Sequence, residues 1–215
     1  MDMINNYTIN IIVHNNISPQ PVIDSLKPLN AVVFDGTGYP SFSKVCNDII
    51  VKNPTPIVII AGYKVRPTQK DVNKMLKLIN EGHGIVGLYR FGFFGFKKEL
   101  IHRIGFFDER FIGGEYEDGD MIRRHMLNNI SIYEQEEVVY IYKKSTWNNK
   151  LSKLHHYKKW KDINENSYIR LLDDEKYNYD IGKSDSRIIF LKAKYSVIVN
   201  GNINGWIKSF HPENN

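Results

Sequence analysis

The 215 residues predict an α/β fold built as a single domain, with a central, mostly parallel sheet covered by helices on both faces. Three observations predict it. Short, continuous apolar runs rich in β-branched residues recur in the first half of the chain, as strands buried on both faces require. Each run is followed by a stretch of helical periodicity, and strand-helix alternation is the pattern of parallel sheets with crossover helices. The composition, 42% hydrophobic and 25% charged, supplies enough apolar surface for a sizeable core.

The elements follow in order. "YTINIIVHNN" reads as a buried strand ending in a polar loop, and "ISPQPVIDSL" as a short, proline-led helix. "LNAVVFDG", Leu29 to Gly36, reads as a second buried strand. "SFSKVCNDIIVKN" places Phe42, Val45, Cys46, Ile49 and Ile50 at helical spacing, with Ser41 as N-cap. "TPIVIIAG" is a third, almost wholly apolar strand. "RPTQKDVNKMLKLINEG" is an amphipathic helix: Thr68 caps it, Val72, Met75, Leu76 and Ile79 form its stripe, and Gly82 ends it. "GIVGLYRFGFFGF" reads as one further strand and "KKELIHRI" as a helix. An acidic cluster, a helix "DMIRRHMLNN" and a strand "SIYEQEEVVYIY" come next. The last seventy residues are richer in charge and aromatics, and are expected to pack on the same core.

Ligands of open α/β sheets bind where the strands end at their carboxyl edge. Here those ends carry His14-Asn15, Asp35-Gly36 and Gly62-Tyr63-Lys64. Topology alone makes them candidate binding residues. The formal charge of +5 points weakly to an anionic partner, and a merely basic surface explains it as well. No nucleic-acid motif accompanies the lysines of "KLSKLHHYKKWK", so no nucleic-acid partner is expected. Met1 to Asn10 shows no basic stretch leading into an apolar run, and no segment reaches membrane-spanning length. The single Cys46 forms no internal disulfide and suits a reducing compartment, so a cytoplasmic protein is expected.

Residues 104–129, "IGFFDERFIGGEYEDGDMIRRHMLNN", resemble the family-two glycosyltransferases with the GT-A (Rossmann-like) fold. In that family a "G-x-F-D-E-x-F" segment precedes an acidic "E-D-x-D-x-x-x-R" turn at a helix start. The matching positions are Gly105, Phe107, Asp108, Glu109 and Phe111, then Glu117, Asp118, Asp120 and Arg124. Asn47 resembles the family's Asn after the second strand. The likeness spans residues 7–145, leaving 146–215 as a C-terminal segment of the same domain. The Asn-, Lys- and Ile-rich composition would suit a bacterial or large DNA-virus enzyme, the latter working in host cytoplasm.

The resemblance implies transfer of a hexose from a nucleotide-diphosphate sugar, a UDP-sugar above others, to a hydroxyl of a carbohydrate or glycoprotein acceptor. Such transfer needs a base for the acceptor proton. The base maps to Asp118, with Glu117 orienting it or touching the acceptor. Gly113, Gly114 and Gly119 would admit sugars close to the backbone, Asp35 would hydrogen-bond the nucleobase, and His14 and Asn15 would lie beside base or ribose. The aromatic run Tyr89 to Phe96 would shape the sugar pocket, Phe94 included, although about half of it serves equally as core. Trp147 and Trp160 are further candidates to stack on a sugar.

Plainer roles stand beside these. Asp118 can be an N-cap, Asp35 a turn residue, and Glu115 and Asp120 cap and surface residues, with Asp120 paired to Arg123 or Arg124 at helical spacing. The family also implies Mn²⁺ or Mg²⁺ held by an Asp after the third strand. Here "GYKVRP" puts Lys64 at that position. Either Lys64, with Arg66 and beside Tyr63, neutralises the diphosphate without a metal, or the ligands lie elsewhere, His155 and His156 among them. A non-catalytic nucleotide- or glycan-binding relative is the alternative reading, and a nucleotidyltransferase lacks the glycine- and basic-rich signature it would need near the first strand.

Overall fold

The computed structural model describes residues 6–89, 91–111 and 116–135, with strand residues 198–199 and 202–203. The fold is mixed α/β, a six-stranded sheet flanked by helices. Its strands are β1 (Tyr7–Val13), β2 (Ala31–Asp35), β3 (Ile57–Gly62), β4 (Ile85–Leu88), β5 (Phe93–Lys97) and β6 (Ile132–Glu134), in the order β2-β1-β3-β5-β4-β6. Only β5 is antiparallel to its neighbours, so the sheet is mixed and mostly parallel, as predicted.

Two apolar layers sandwich the sheet because β3 alternates between them. Val58 and Ile60 face helix α2 (Phe42–Lys52), the short α4 (Ile101–Ile104) and α5 (Glu117–Leu127). Ile57, Ile59 and Ala61 face α1 (Gln20–Leu26) and α3 (Gln69–Asn80). Both faces being covered is the reason the strand reads as an unbroken apolar run.

Local chemistry sets the helix ends. Ser41 accepts the Lys44 backbone N–H to start α2. Thr68 and Asp71 form a reciprocal capping box on α3, and Gly82 ends it at φ +103°, a conformation that favours glycine. Beneath the sheet, buried Asn10 donates to Asn53, the residue that closes α2, and to the Ile59 carbonyl, so its amide is not stranded in the core.

Four expectations change. β2 is an edge strand with Val32 48% and Val33 41% exposed, so its apolar composition does not mean burial: β1 pairs one side of it, and among the described residues no strand pairs the other. "GIVGLYRFGFFGF" holds two strands, β4 and β5, paired antiparallel, with the Gly92 N–H donating to the Tyr89 carbonyl between them. Helix α5 begins at Glu117, not at Asp120, after Tyr116 in left-handed backbone with no side-chain cap. The sixth strand covers only Ile132–Glu134, and the remainder of "SIYEQEEVVYIY" from residue 136 lies outside the described residues. Of the C-terminal segment, the described part is an antiparallel pair, β7 (Ile198–Val199) with β8 (Asn202–Ile203).

Candidate active site at the carboxyl edge of the sheet

Strands β1 to β4 run in one direction and end at Val13, Asp35, Gly62 and Leu88. The loops bearing His14-Asn15, Asp35, Tyr63 to Arg66, and the 89–92 turn therefore share one edge. Helix α5 reaches it too. It leads into parallel β6, and its far end packs under the start of β4, where a Cβ added at Gly84 would strike Ile130 and His125. A helix crossing in that sense begins at the carboxyl edge, so Glu117 and Asp118 belong to the same rim as these loops.

At this edge the first two loops are tied together. Asn15 is exposed with φ 54°, and its backbone N–H donates to Thr37 Oγ1 at 3.0 Å. The Thr37 N–H donates to Asp35 Oδ1 at 2.8 Å, making Asp35 the acceptor of its own turn. Hydrogen bonding by Thr37 holds the exposed Asp35 carboxyl below its ordinary pKa, and neighbouring His14 adds to this. His14 is half-buried beside it.

The third loop is more rigid. Tyr63 is 6% exposed, with its ring in the α1/α3 layer, so it acts as a floor and not as a ligand contact. Arg66 folds back, its Nη1 donating to the carbonyls of Tyr63 (2.9 Å) and Val65 (2.8 Å). That bonding staples the loop through Nη1 of the guanidinium. Lys64 is half-buried, its ammonium 5.8 Å from the centre of the Tyr63 ring. Among the described residues no three His, Cys, Asp or Glu side chains gather into a group able to hold a metal. His155, His156, Gly113, Gly114, Glu115, Trp147 and Trp160 lie outside the described residues.

Near α5, the carboxylates of Asp108 and Asp120 are held in ion pairs. Asp108 is fully buried and clasps Arg110, accepting its Nε at 2.8 Å and 3.0 Å and pairing with Nη2 at 2.6 Å. Asp120, expected at the surface, is wholly buried and pairs with equally buried Arg124 at 3.0 Å. Arg124 also donates to the Ile104 and Gly105 carbonyls, closing the end of α4. Asn47 on α2 binds both backbone groups of Phe107 and donates to Glu109 Oε1 at 2.9 Å, and Glu109 lies 3.8 Å from Lys44. Glu117 is 7% exposed and close enough to Cys46 for its charge to add to the burial that pushes the thiol well above its ordinary pKa.

Asp118 differs. It stays half-exposed on the first turn of α5, its Oδ1 accepting the Gly119 N–H at 2.7 Å. Phe94, expected to line a sugar pocket, is instead core: it is 2% exposed and packs on Phe91, Phe96 and Phe107. Burial was the hidden variable throughout, since the Asp120/Arg124 spacing was legible but its inward face was not.

No protein-family model matches the chain, and no curated protein matches it by sequence. Solved structures do show likeness. One is Drosophila beta-1,4-galactosyltransferase 7, an Asp-to-Asn mutant in complex with manganese, UDP-Gal and xylobiose, at 10% identity and a TM-score of 0.47, covering 70% of this chain and 73% of that one. Another is the catalytic domain of the same Drosophila enzyme with xylobiose, at 10% identity and a TM-score of 0.45, covering 69% and 73%. Both are distant likenesses, and the chemistry of this chain rests on its own residues.

Proposed function

We propose that the protein is a glycosyltransferase that moves a hexose from a nucleotide-diphosphate sugar, a UDP-sugar foremost, to a sugar or protein hydroxyl. One observation carries the reading. In the acidic turn that opens α5, Glu117 and Asp120 are buried while Asp118 is only partly buried at the carboxyl edge of the sheet. An ordinary aspartate carboxyl is ionised at neutral pH, which is the form a base must have.

In the proposed step the acceptor oxygen attacks the anomeric carbon and gives its proton to Asp118. The bond from that carbon to the diphosphate oxygen breaks, and the nucleoside diphosphate leaves with the electron pair. Lys64 neutralises the charge growing on the diphosphate, as the ammonium of a loop already held by Tyr63 and Arg66. The loops at His14, Asn15 and Asp35 would take the nucleoside. In this reading residues 7–145 form the catalytic core, residues 146–215 pack on it, and the single buried Cys46 suits a cytoplasmic setting.

Lys64 also favours a second reading, a non-catalytic nucleotide- or glycan-binding protein, because the resembled family places a metal-binding Asp there. Turnover separates the two. With a UDP-hexose donor, Asp118→Asn is expected to lower transfer by about 10²–10⁴-fold while UDP affinity is kept. Unchanged transfer would remove Asp118 as the base, and UDP binding with no transfer by the unaltered protein would favour the second reading.

A further inference from the structure

We propose that Tyr89 and Asp71 are positioning residues of the donor site, a clamp that joins the Lys64 loop to the β4–β5 turn. This inference rests on the glycosyltransferase reading above. The Asp71 carboxylate is the hub. Its Oδ2 accepts the Thr68 backbone N–H at 2.7 Å, the Thr68 hydroxyl at 2.8 Å and the Tyr89 hydroxyl at 3.0 Å. The first bond is half of the α3 capping box, completed by the Asp71 N–H donating to Thr68 Oγ1, and the hydroxyl bond adds to it, so the 63–67 loop stops at Thr68. The third reaches across to a different element, 18 residues further along the chain.

A backbone bond reinforces the union, since the Gly62 N–H donates to the Gly92 carbonyl at 2.8 Å. The loop bearing Lys64 is thus tied to the turn at both of its ends, Gly62 and Thr68.

Independent backbone evidence marks the turn as more than a connection. Tyr89 and Phe91 both sit in left-handed backbone, at φ 53° and 55°. Bulky residues avoid that region, and such strain persists where surrounding contacts enforce it, as at ligand clamps. Here Phe91 is held over Gly87, where an added Cβ would come within 2.9 Å of its ring, and Tyr89 by its ring in the α1/α3 layer and by Asp71. A cation expected to meet a diphosphate gains from a loop that does not have to be ordered on binding.

The test is Tyr89→Phe, which removes one oxygen and keeps the ring and the capping box. The readouts are UDP affinity by calorimetry, donor and acceptor KM, kcat, and amide hydrogen exchange at residues 63–68. The donor KM and UDP Kd are expected to rise about three- to tenfold, with acceptor KM and kcat kept and exchange at 63–68 faster. Asp71→Asn, a weaker acceptor of the same size, is expected to shift the donor KM in the same direction. If UDP binds the unaltered protein and Tyr89→Phe binds it equally well, the clamp is overturned and the glycosyltransferase reading stands. Unchanged exchange at 63–68 overturns the clamp whatever the ligand does. Failure of the unaltered protein to bind any of UDP, GDP or dTDP removes the donor site and the inference with it.

Discussion

The Asn47 side chain of α2 binds the backbone of Phe107 as a neighbouring strand would, donating to its carbonyl at 2.8 Å and accepting its N–H at 2.9 Å, across 60 residues of sequence. The contact is buried, so each of the two backbone groups would lose its partner without gaining water. It fixes the "GFFDERF" segment against α2.

Asn47→Leu is accordingly expected to destabilise the fold by about 2–4 kcal/mol in urea denaturation, because it strands a buried N–H and C=O. Asn47→Asp keeps the acceptor and loses the donors to Phe107 and Glu109, and should also be clearly less stable than the parent. A surface-like loss, within about 0.5 kcal/mol, would contradict the clamp.

Asp120 and Arg124 make a second fastening, with both side chains wholly buried. Arg124→Met leaves the Asp120 carboxylate buried without its cation and is expected to cost about 3–5 kcal/mol. Replacing both, as Asp120→Leu with Arg124→Met, should cost less than the sum of the two single changes. Additive losses in that cycle would mean the ion pair itself contributes nothing.

His125 gives the protein an acid limit. Burial lowers its pKa from 6.5 to about 4, partly opposed by the bond to the Met121 carbonyl, with the charges of Arg124 and Arg103 pushing the same way as burial. Between those two values the unfolded chain holds more protons than the folded one, so stability rises with pH there and is lost as pH falls. The loss amounts to at most roughly 3 kcal/mol. Urea midpoints measured from pH 7 to pH 4 should fall more steeply for the parent than for His125→Asn, and parallel curves would assign the acid loss to other groups.

Lys64→Ala is expected to weaken UDP binding by about tenfold or more, with EDTA leaving the parent's affinity unchanged. The opposite pattern, binding abolished by EDTA and kept in Lys64→Ala, would place a metal at the diphosphate and remove the lysine from that role.

Phe94→Ala should behave as a core truncation, lowering stability by about 3–5 kcal/mol, since the ring packs on three other phenylalanines. Small loss of stability with a raised acceptor KM would return Phe94 to the sugar pocket.

Sequence alone determined the strand-helix alternation, the capping of α2 by Ser41 and of α3 by Thr68, and the edge at which His14, Asp35 and Lys64 end their strands. These are local matters of periodicity and side-chain-to-backbone bonding, legible because each element's own residues settle them. Tertiary structure decided the rest. Val32 and Val33 are as apolar as a central strand requires, yet β2 took the edge, and strand order is a property of the whole sheet. In sequence, the carboxylates of residues 108–120 read as a cluster of candidate base, cap and surface residues, with Asp120 within pairing distance of Arg124. Packing divided them, burying Asp108 and Asp120 against Arg110 and Arg124 and leaving Asp118 at the rim. The Asp120/Arg124 spacing was in the sequence, but which carboxylates turn inward was not, because burial depends on how the folded chain packs around each one.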